Sequence, residues 1–383
     1  MIRSTAGRKA YSPDQLHIFL IGILRVIFVH LFNDRSGSPR VLASVIDVIG
    51  DPQRDLLCVA KGDGILESMS LEKCYYRYNR RNNRVLTFFE YLLSQLDLFF
   101  LLRKEARHRP TDEMIYVNTA YPFAAALFGW FSGRKVIYHL HEVSITPAVM
   151  RRFLWGVVKL TATEVRFVSE HQKRISDFKS KKTRVIYNAM SRDLAKAAIG
   201  APLDRNDDFF RVLMPSTMRD YKGIPEFLEL AQLLADRSNF LFQLVTNDEP
   251  EVVEVYLNNL PALPSNVQLI PRTSDLAPLY RQASVVVNLS RPEEWIETFG
   301  LTILEAMSFG IPVIAPPAGG PIELLSGGLD DFLIRGDDAV HLASVLRNLQ
   351  VDKELYKRVS ELCRQRAAVF DWQLFVDSLN TEE

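Results

Sequence analysis

Glu297 and Glu305 stand eight positions apart inside the run ETFGLTILEAMSFGIPVIAPPAGGPIE. If both were helical, 3.6 residues per turn would set them within about 80° of each other, so both can face one crevice. Ionised carboxylates are good acceptors for sugar hydroxyls. Gly300, between them, has no side chain to keep a ligand from the free N–H groups of a helix start, where the helix dipole favours an anion such as phosphate. Gly319 and Gly320, followed by Pro321, which is preset for a first helical position, mark a second helix start. Paired acids beside anion-binding amides suit a ligand with phosphates in its middle and hydroxyls at both ends, which describes a nucleotide-sugar.

These residues need elements that point them the same way. Ser284 to Leu289 is a β-branched apolar run of the kind expected of a strand buried on both faces. The polar loop Ser290 to Thr298 follows, and from Phe299 the apolar positions Phe299, Ile303, Leu304, Met307 and Phe309 recur at helical spacing. Thr298 is placed to cap that helix, and Gly310 with Pro312 stops it. Pro312 to Pro316 reads as the next strand. Two strand, loop and helix-start units in tandem offer their N–H groups at one end of a parallel sheet, where open α/β sheets bind ligands.

The run from Glu297 to Ala315, with Gly-Gly-Pro-Ile-Glu after it, resembles the signature of GT-B glycosyltransferases of the retaining group 1 type, often called family 4. The resemblance implies an α/β fold of two Rossmann-like, doubly wound domains facing across a cleft. It implies that Glu297 orients donor-sugar hydroxyls, that Glu305 holds the ribose, and that Ser290, Thr298, Phe299, Leu301 and the glycines 300, 319 and 320 line the donor site. It also implies that the anomeric configuration is retained.

The chain's 383 residues suffice for two domains. A hydrophobic share of 48% with 24% charged residues reads as soluble and globular. Cys58, Cys74 and Cys363 form no CxxC pair and no metal spacing, which suits a reducing cytoplasm. The net charge of zero conceals a separation: residues 1–200 hold 31 Lys+Arg against 18 Asp+Glu, and residues 201–383 hold 15 against 28. Such polarity points to an anionic partner for the first half, a membrane surface or a phosphorylated substrate. No secretory signal is evident, and Arg25, His17 and His30 break Gln15 to Phe32 as a membrane span.

Met1 to Pro13 is expected to be loosely packed. Arg25 to Leu31 reads as a strand feeding the loop Phe32 to Arg40, with Val41 to Ile49 helical beyond it. That loop resembles the family's glycine-containing turn facing the donor phosphates, with Gly37, Ser36 and Ser38 in the matching places. Asp55 to Ala60 is a second strand. Tyr75 to Arg109 alternates basic and aromatic clusters; its second part is a helix apolar on nearly every side, suited to an anionic bilayer or to burial. No nucleic-acid motif accompanies it. Met114 to Thr119 and Lys135 to His141 are further strands. His141-Glu142 resembles the family's His-Asp step beside the donor sugar, with Glu142 for the usual aspartate and His139 as the competing histidine. Glu164 to Ser169 and Arg184 to Asn188 end this half, and Ser191 to Asp208 suits a linker.

In the second half, Arg211 to Ser216 is a strand and Lys222-Gly223-Ile-Pro225 opens a helix. The family carries an arginine and a lysine here to clamp the diphosphate. Lys222 is in register, Thr217 stands where the arginine is expected, and Arg219 is the substitute within reach. Phe240 to Thr246 and Val267 to Pro271 read as strands, and the loop from Arg272 to Asp275 sits where the resemblance implies that the nucleotide base binds. Expected boundaries are residues 1–192 for an acceptor-binding domain, 205–365 for a nucleotide-sugar-binding domain, and 366–383 for a helix crossing back.

No GxGxxG follows the first strand, no GxxxxGK[ST] occurs, and no Asp-x-Asp stands out after a strand. The expected chemistry is metal-independent hexose transfer to a glycan hydroxyl, with the nucleotide-diphosphate sugar as co-substrate and no cofactor. N–H groups of Gly37, Gly300, Gly319 and Gly320, together with Lys222, would stabilise the leaving diphosphate. The acceptor is expected to be a lipid-linked glycan of bacterial surface polysaccharide, met by a cytoplasmic protein peripheral on the inner membrane face. The alternatives are a catalytically silent GT-B interaction protein and a nucleotide-sugar epimerase.

Overall fold

The structure, a computed structural model, describes residues 25–79, 83–107, 113–203, 208–237, 239–273 and 275–380. The expectations for Met1 to Pro13 and for the first part of the Gln15 to Phe32 run lie outside them. Strand β1 (Val26–Phe32) sends Ile27, Val29 and Leu31 into one apolar layer and Val26 and Phe28 into the other. Both faces are covered, which is why the run reads as continuously apolar.

After β1 come α1 (Gly37–Ile49), β2 (Leu56–Ala60), β3 (Glu72–Tyr76), α2 (Arg84–Glu105), β4 (Met114–Asn118) and α3 (Phe123–Phe131). Then follow β5 (Lys135–Leu140), α4 (Ala148–Thr161), β6 (Glu164–Phe167), α5 (Glu170–Ile175), β7 (Lys182–Val185) and α6 (Arg192–Ala198). The seven strands pair in parallel in the order β3-β2-β1-β4-β5-β6-β7.

The second domain runs β8 (Phe210–Ser216), α7 (Ile224–Leu233), β9 (Phe240–Thr246), α8 (Pro250–Leu257), β10 (Val267–Ile270), α9 (Ala277–Gln282) and β11 (Val285–Val287). It continues with α10 (Leu301–Ser308), β12 (Val313–Ile314), α11 (Gly320–Leu324), α12 (Ala339–Val351), α13 (Lys353–Ala367) and α14 (Trp372–Asn380). Its five strands are also parallel, in the order β10-β9-β8-β11-β12. The architecture is the expected pair of doubly wound α/β domains. In each sheet the strand order reverses at the first strand, and the loops after β1 and β4 and after β8 and β11 open at those two switch points. The last helix returns to the first domain: Phe375 and Leu379 enter the layer that holds Val26, Phe28 and Leu42, and the Arg184 Nη1 donates to the Ser378 carbonyl at 3.3 Å.

Two elements differ from the sequence reading. Strand β3 was not anticipated, because in this edge strand only Tyr76 is buried and the sequence carries no apolar run. Helix α6 lies within the expected linker, with the Ser191 Oγ capping Leu194 N–H. Helix α2, for which the sequence left docking on a bilayer and burial both open, is buried along one side only: Tyr91, Leu98 and Leu102 face the core, while Leu86, Phe89, Leu93, Leu96 and Phe100 are each more than half exposed.

Candidate functional site

Two helix starts lie side by side across the domain boundary. Helix α1 begins at Gly37 and α10 at Leu301, and a Cβ added to Gly37 would come within 3.8 Å of Leu301 Cδ1. The backbone N–H groups of Gly37 and Ser38 on one side, and of Gly300, Leu301 and Thr302 on the other, meet no acceptor among the described residues. Pro39 has no N–H to satisfy. The Asn118 Nδ2 fixes the first loop by donating to the Ser38 carbonyl at 3.1 Å.

Helix α10 starts two residues later than the apolar spacing suggests. Gly300 is its N-cap, at φ +104°, a left-handed conformation that favours glycine. Thr298 therefore does not cap the helix. Its Oγ1 donates to the His141 carbonyl of the first domain at 2.8 Å, and its own carbonyl accepts from the Ser169 Oγ at 2.8 Å. The neighbouring Phe299 is buried against Tyr187 and Phe370, with ring centroids 6.2 and 5.8 Å away.

At one end of this seam Lys222 Nζ lies 3.2 Å from Glu297 Oε2 and 4.5 Å from the centre of the Trp295 indole, which stacks on Tyr221. The ammonium is held between a carboxylate and an aromatic face. Gly223 makes the turn that delivers Lys222: it sits at φ +86°, and a Cβ there would fall 2.2 Å from the Leu289 carbonyl oxygen. Arg219 does not point its guanidinium at this pair; its Nη1 donates to the Met218 carbonyl at 2.7 Å. Ser290 is 1% exposed, its Oγ is without a partner, and its N–H donates to Asn288 Oδ1 at 3.1 Å.

At the other end Glu305 is fully enclosed. Its Oε1 accepts from Arg40 Nη2 at 2.5 Å and its Oε2 from the Tyr280 hydroxyl at 2.8 Å. Glu305 holds the Arg40 guanidinium even more firmly protonated than usual, and burial followed by the same carboxylate raises the Tyr280 phenol well above its usual value. Both carboxylate oxygens are thus occupied from within the chain, one of them by the opposite domain.

The first domain brings a histidine network to this seam, joined to it where the Thr298 hydroxyl meets the His141 carbonyl. Because the Asn118 Nδ2 donates to Ser38, its Oδ1 faces His141 Nε2 at 2.8 Å, so Nε2 carries the proton and Nδ1 is left as an acceptor. Burial lowers His141 to about 3 and His30 to about 4, so both stay neutral. His139 is fully buried, bonded to the Tyr116 hydroxyl at 2.9 Å, and takes no place in the cleft. Burial raises Glu142 to about 7; the Ala120 and His141 N–H groups, at 3.2 and 3.3 Å, oppose that shift.

Gly320 has a different role from the one expected. Its N–H donates to the Glu297 carbonyl at 2.9 Å and is not open to a ligand. A Cβ on Gly319 would fall 2.1 Å from that same carbonyl oxygen, and one on Gly320 2.4 Å from the Phe299 Cα. The two glycines let this loop lie against residues 297–299 and so hold Glu297 in place. Glu323, four residues after Gly319, accepts from the Glu170 and His171 N–H groups at 3.1 and 2.5 Å and from the Tyr187 hydroxyl at 3.0 Å, tying α11 to the start of α5.

Sequence reasoning missed Arg40, Asn118, Tyr280, Trp295 and Glu323. Of these only Trp295, two residues before Glu297, carried a local signal; the others act through contacts 23 to 265 residues away along the chain.

Residues 210–352 match the family described as glycosyl transferases group 1. D-inositol 3-phosphate glycosyltransferase 1 of Catenulispora acidiphila is 30% identical over 208 residues, 51% of this chain and 47% of that protein. Sucrose-phosphate synthase of Spinacia oleracea is 32% identical over 102 residues, 26% of this chain and 10% of that protein. The chain thus spans about half the length of the first relative and a tenth of the second. Among solved structures, Anabaena HepE in complex with UDP-glucose superposes with a TM-score of 0.75 at 20% identity, over 93% of this chain and 98% of that one. Sucrose-phosphate synthase from Thermosynechococcus elongatus gives 0.67 at 19%, over 92% and 96%.

Proposed function

We propose, for a chain of GT-B fold whose second domain is that of a group 1 glycosyl transferase, that it moves a hexose from a nucleotide-diphosphate sugar to a hydroxyl of a glycan acceptor. The observation that carries this reading is the seam itself: two helix starts with unengaged N–H groups, bounded by Lys222 and Glu297 at one end and by Glu305 at the other. Along the chain the amides of residues 300–302 lie between the carboxylates of Glu297 and Glu305, an order that suits phosphates flanked by two sugars.

In this reading the bond between the anomeric carbon and the diphosphate oxygen breaks as the acceptor oxygen bonds to the same face. The acceptor proton passes to the departing phosphate, and the configuration is retained. Lys222 and the N–H groups of residues 37–38 and 300–302 stabilise the charge growing on the diphosphate, which is the work a metal would otherwise do. Glu297 orients donor hydroxyls, His141 accepts from one of them through Nδ1, and Glu305 exchanges Arg40 for the ribose. The UDP-glucose bound by HepE supports the donor class. The excess of cations in residues 1–200 supports a lipid-linked acceptor at the cytoplasmic face of a membrane, as in surface-polysaccharide assembly.

A panel of nucleotide-sugars screened by ligand-induced thermal shift, followed by product analysis with and without glycan acceptors, tests the proposal. Transfer supports it. Binding without turnover would identify a silent interaction protein, and an isomerised nucleotide-sugar formed without acceptor would identify an epimerase; either overturns it.

A further inference from the structure

Helix α2 carries a face that the fold leaves uncovered. Leu86, Phe89, Leu93, Leu96 and Phe100 occupy one stripe roughly 80° wide at 3.6 residues per turn, and the stripe is about 21 Å long at 1.5 Å per residue. Its C-terminal end passes directly into Arg103, Lys104 and Arg107, all exposed, which with Phe100 line a hollow of about 260 Å³. Among the described residues, Lys104 alone of the three has an acid within ion-pair distance, Glu105 at 4.0 Å. Trp130 and Phe131, also exposed and 4.8 Å apart, lie at the same end of the domain, because Arg134 beyond them donates to the Ala106 carbonyl that closes α2.

The helix is long and apolar enough to cross a bilayer, but its other side is built into the protein. Leu98 and Leu102 are fully buried, Phe99 meets Phe128 of α3 at 5.9 Å, and the Gln95 Oε1 accepts from Ala124 N–H at the start of α3. Crossing would strip those contacts and carry Gln95 and Ser94 into hydrocarbon. An apolar stripe of this size on a packed helix is instead a contact surface, and three cations set at one end of it select an anionic occupant.

We propose that α2 is a monotopic docking helix: its stripe seats at the acyl boundary of an acidic bilayer, and the hollow of Arg103, Lys104 and Arg107 takes a lipid phosphate. The inference rests on the membrane-face part of the functional reading and not on the transfer chemistry. Each cation contributes about 1 kcal/mol near an acidic surface, so the three account for about a hundredfold in affinity. The aromatic pair at the same end matches the preference of tryptophan for the interface.

Co-sedimentation of the full chain with vesicles of phosphatidylcholine alone, and with phosphatidylglycerol added, tests this. Binding is expected to the acidic vesicles only and to weaken with salt. Arg103→Glu with Lys104→Glu and Arg107→Glu should lower it by about a hundredfold or more, and Leu93→Glu with Phe100→Glu by at least about tenfold, while donor-induced thermal shifts of both variants match the native chain. Equal binding of native and variant chains, or no binding to acidic vesicles, overturns the proposal. So does self-association of the native chain, seen by sedimentation velocity and abolished by Leu93→Glu with Phe100→Glu, in the absence of vesicle binding. Failure of sugar transfer leaves these measurements standing, which separates the two readings.

Discussion

Arg40, in the first turn of α1, and Glu305, inside α10, meet at 2.5 Å across the boundary between the two domains, with the carboxylate wholly enclosed. The pair bridges the two domains and occupies the oxygen that the functional reading gives to a ribose hydroxyl. Arg40→Ala leaves a buried carboxylate held only by Tyr280. Its expected cost is roughly 2–3 kcal/mol, at or below the low end of the range for buried pairs because the arginine is partly exposed, and it is measured as a lower denaturation midpoint. Small-angle scattering should show a wider unliganded chain, and donor addition should raise the melting temperature more than in the native protein. An unchanged donor response would mean that Glu305 does not exchange partners.

Lys222→Ala and Glu297→Ala should each lower the transfer rate by about a hundredfold or more, since each removes a group aimed at charge or hydroxyls in the reacting complex. Circular dichroism and thermal melts near the native ones would show the fold intact. Parental rates in both variants would mean that the site lies elsewhere.

The histidine network predicts a stability optimum on the pH axis. Glu142 is raised from the usual carboxyl value to about 7, so its contribution is complete below the unfolded value and fades as pH rises through about 7. Glu142→Gln, which cannot ionise, should therefore melt increasingly above the native chain between about pH 5 and about pH 8. His30 and His141 are lowered to about 4 and about 3. Their contributions hold above the ordinary histidine value near 6.5 and fall away as acid approaches those lowered values. A Glu142→Gln difference that stays flat with pH would show that the carboxyl is not held neutral.

Gly223→Ala tests whether Lys222 is placed by its turn. The residue is left-handed and a Cβ meets the Leu289 carbonyl at 2.2 Å, so the turn must move. Strain of this kind costs about 1–3 kcal/mol, and the rate should fall with it because the ammonium leaves Glu297. A variant that loses stability and keeps its rate would separate Lys222 from catalysis.

How far the chain could be read in advance follows from how local each signal is. Buried parallel strands announce themselves as apolar runs, so β1, β4, β8 and β9 were found within a residue or two of their ends. Only Glu305 is helical: Glu297 lies in the loop before α10, so the 80° relation that the spacing suggests for two helical residues does not hold. Thr298 read as a cap because the spacing of Phe299 and Ile303 hid the left-handed Gly300 that delays the helix. Gly320 read as an amide donor because no local pattern shows that its N–H meets the carbonyl of Glu297, twenty-three residues earlier. Arg40 on a helix flank looks like any solvated cation until the opposite domain is in place.

The starts of α1 and α10 both present the positive end of a helix dipole, and they lie abreast at the Gly37 and Leu301 contact. Like poles set side by side repel, so the contact between the two domains rests on its flanking clasps, Arg40 with Glu305 and Thr298 with His141. A guest with two negative charges reverses the sign of that seam. On the proposed reading a nucleotide diphosphate would draw the two helix starts together, and a guest shorn of a phosphate would do so less.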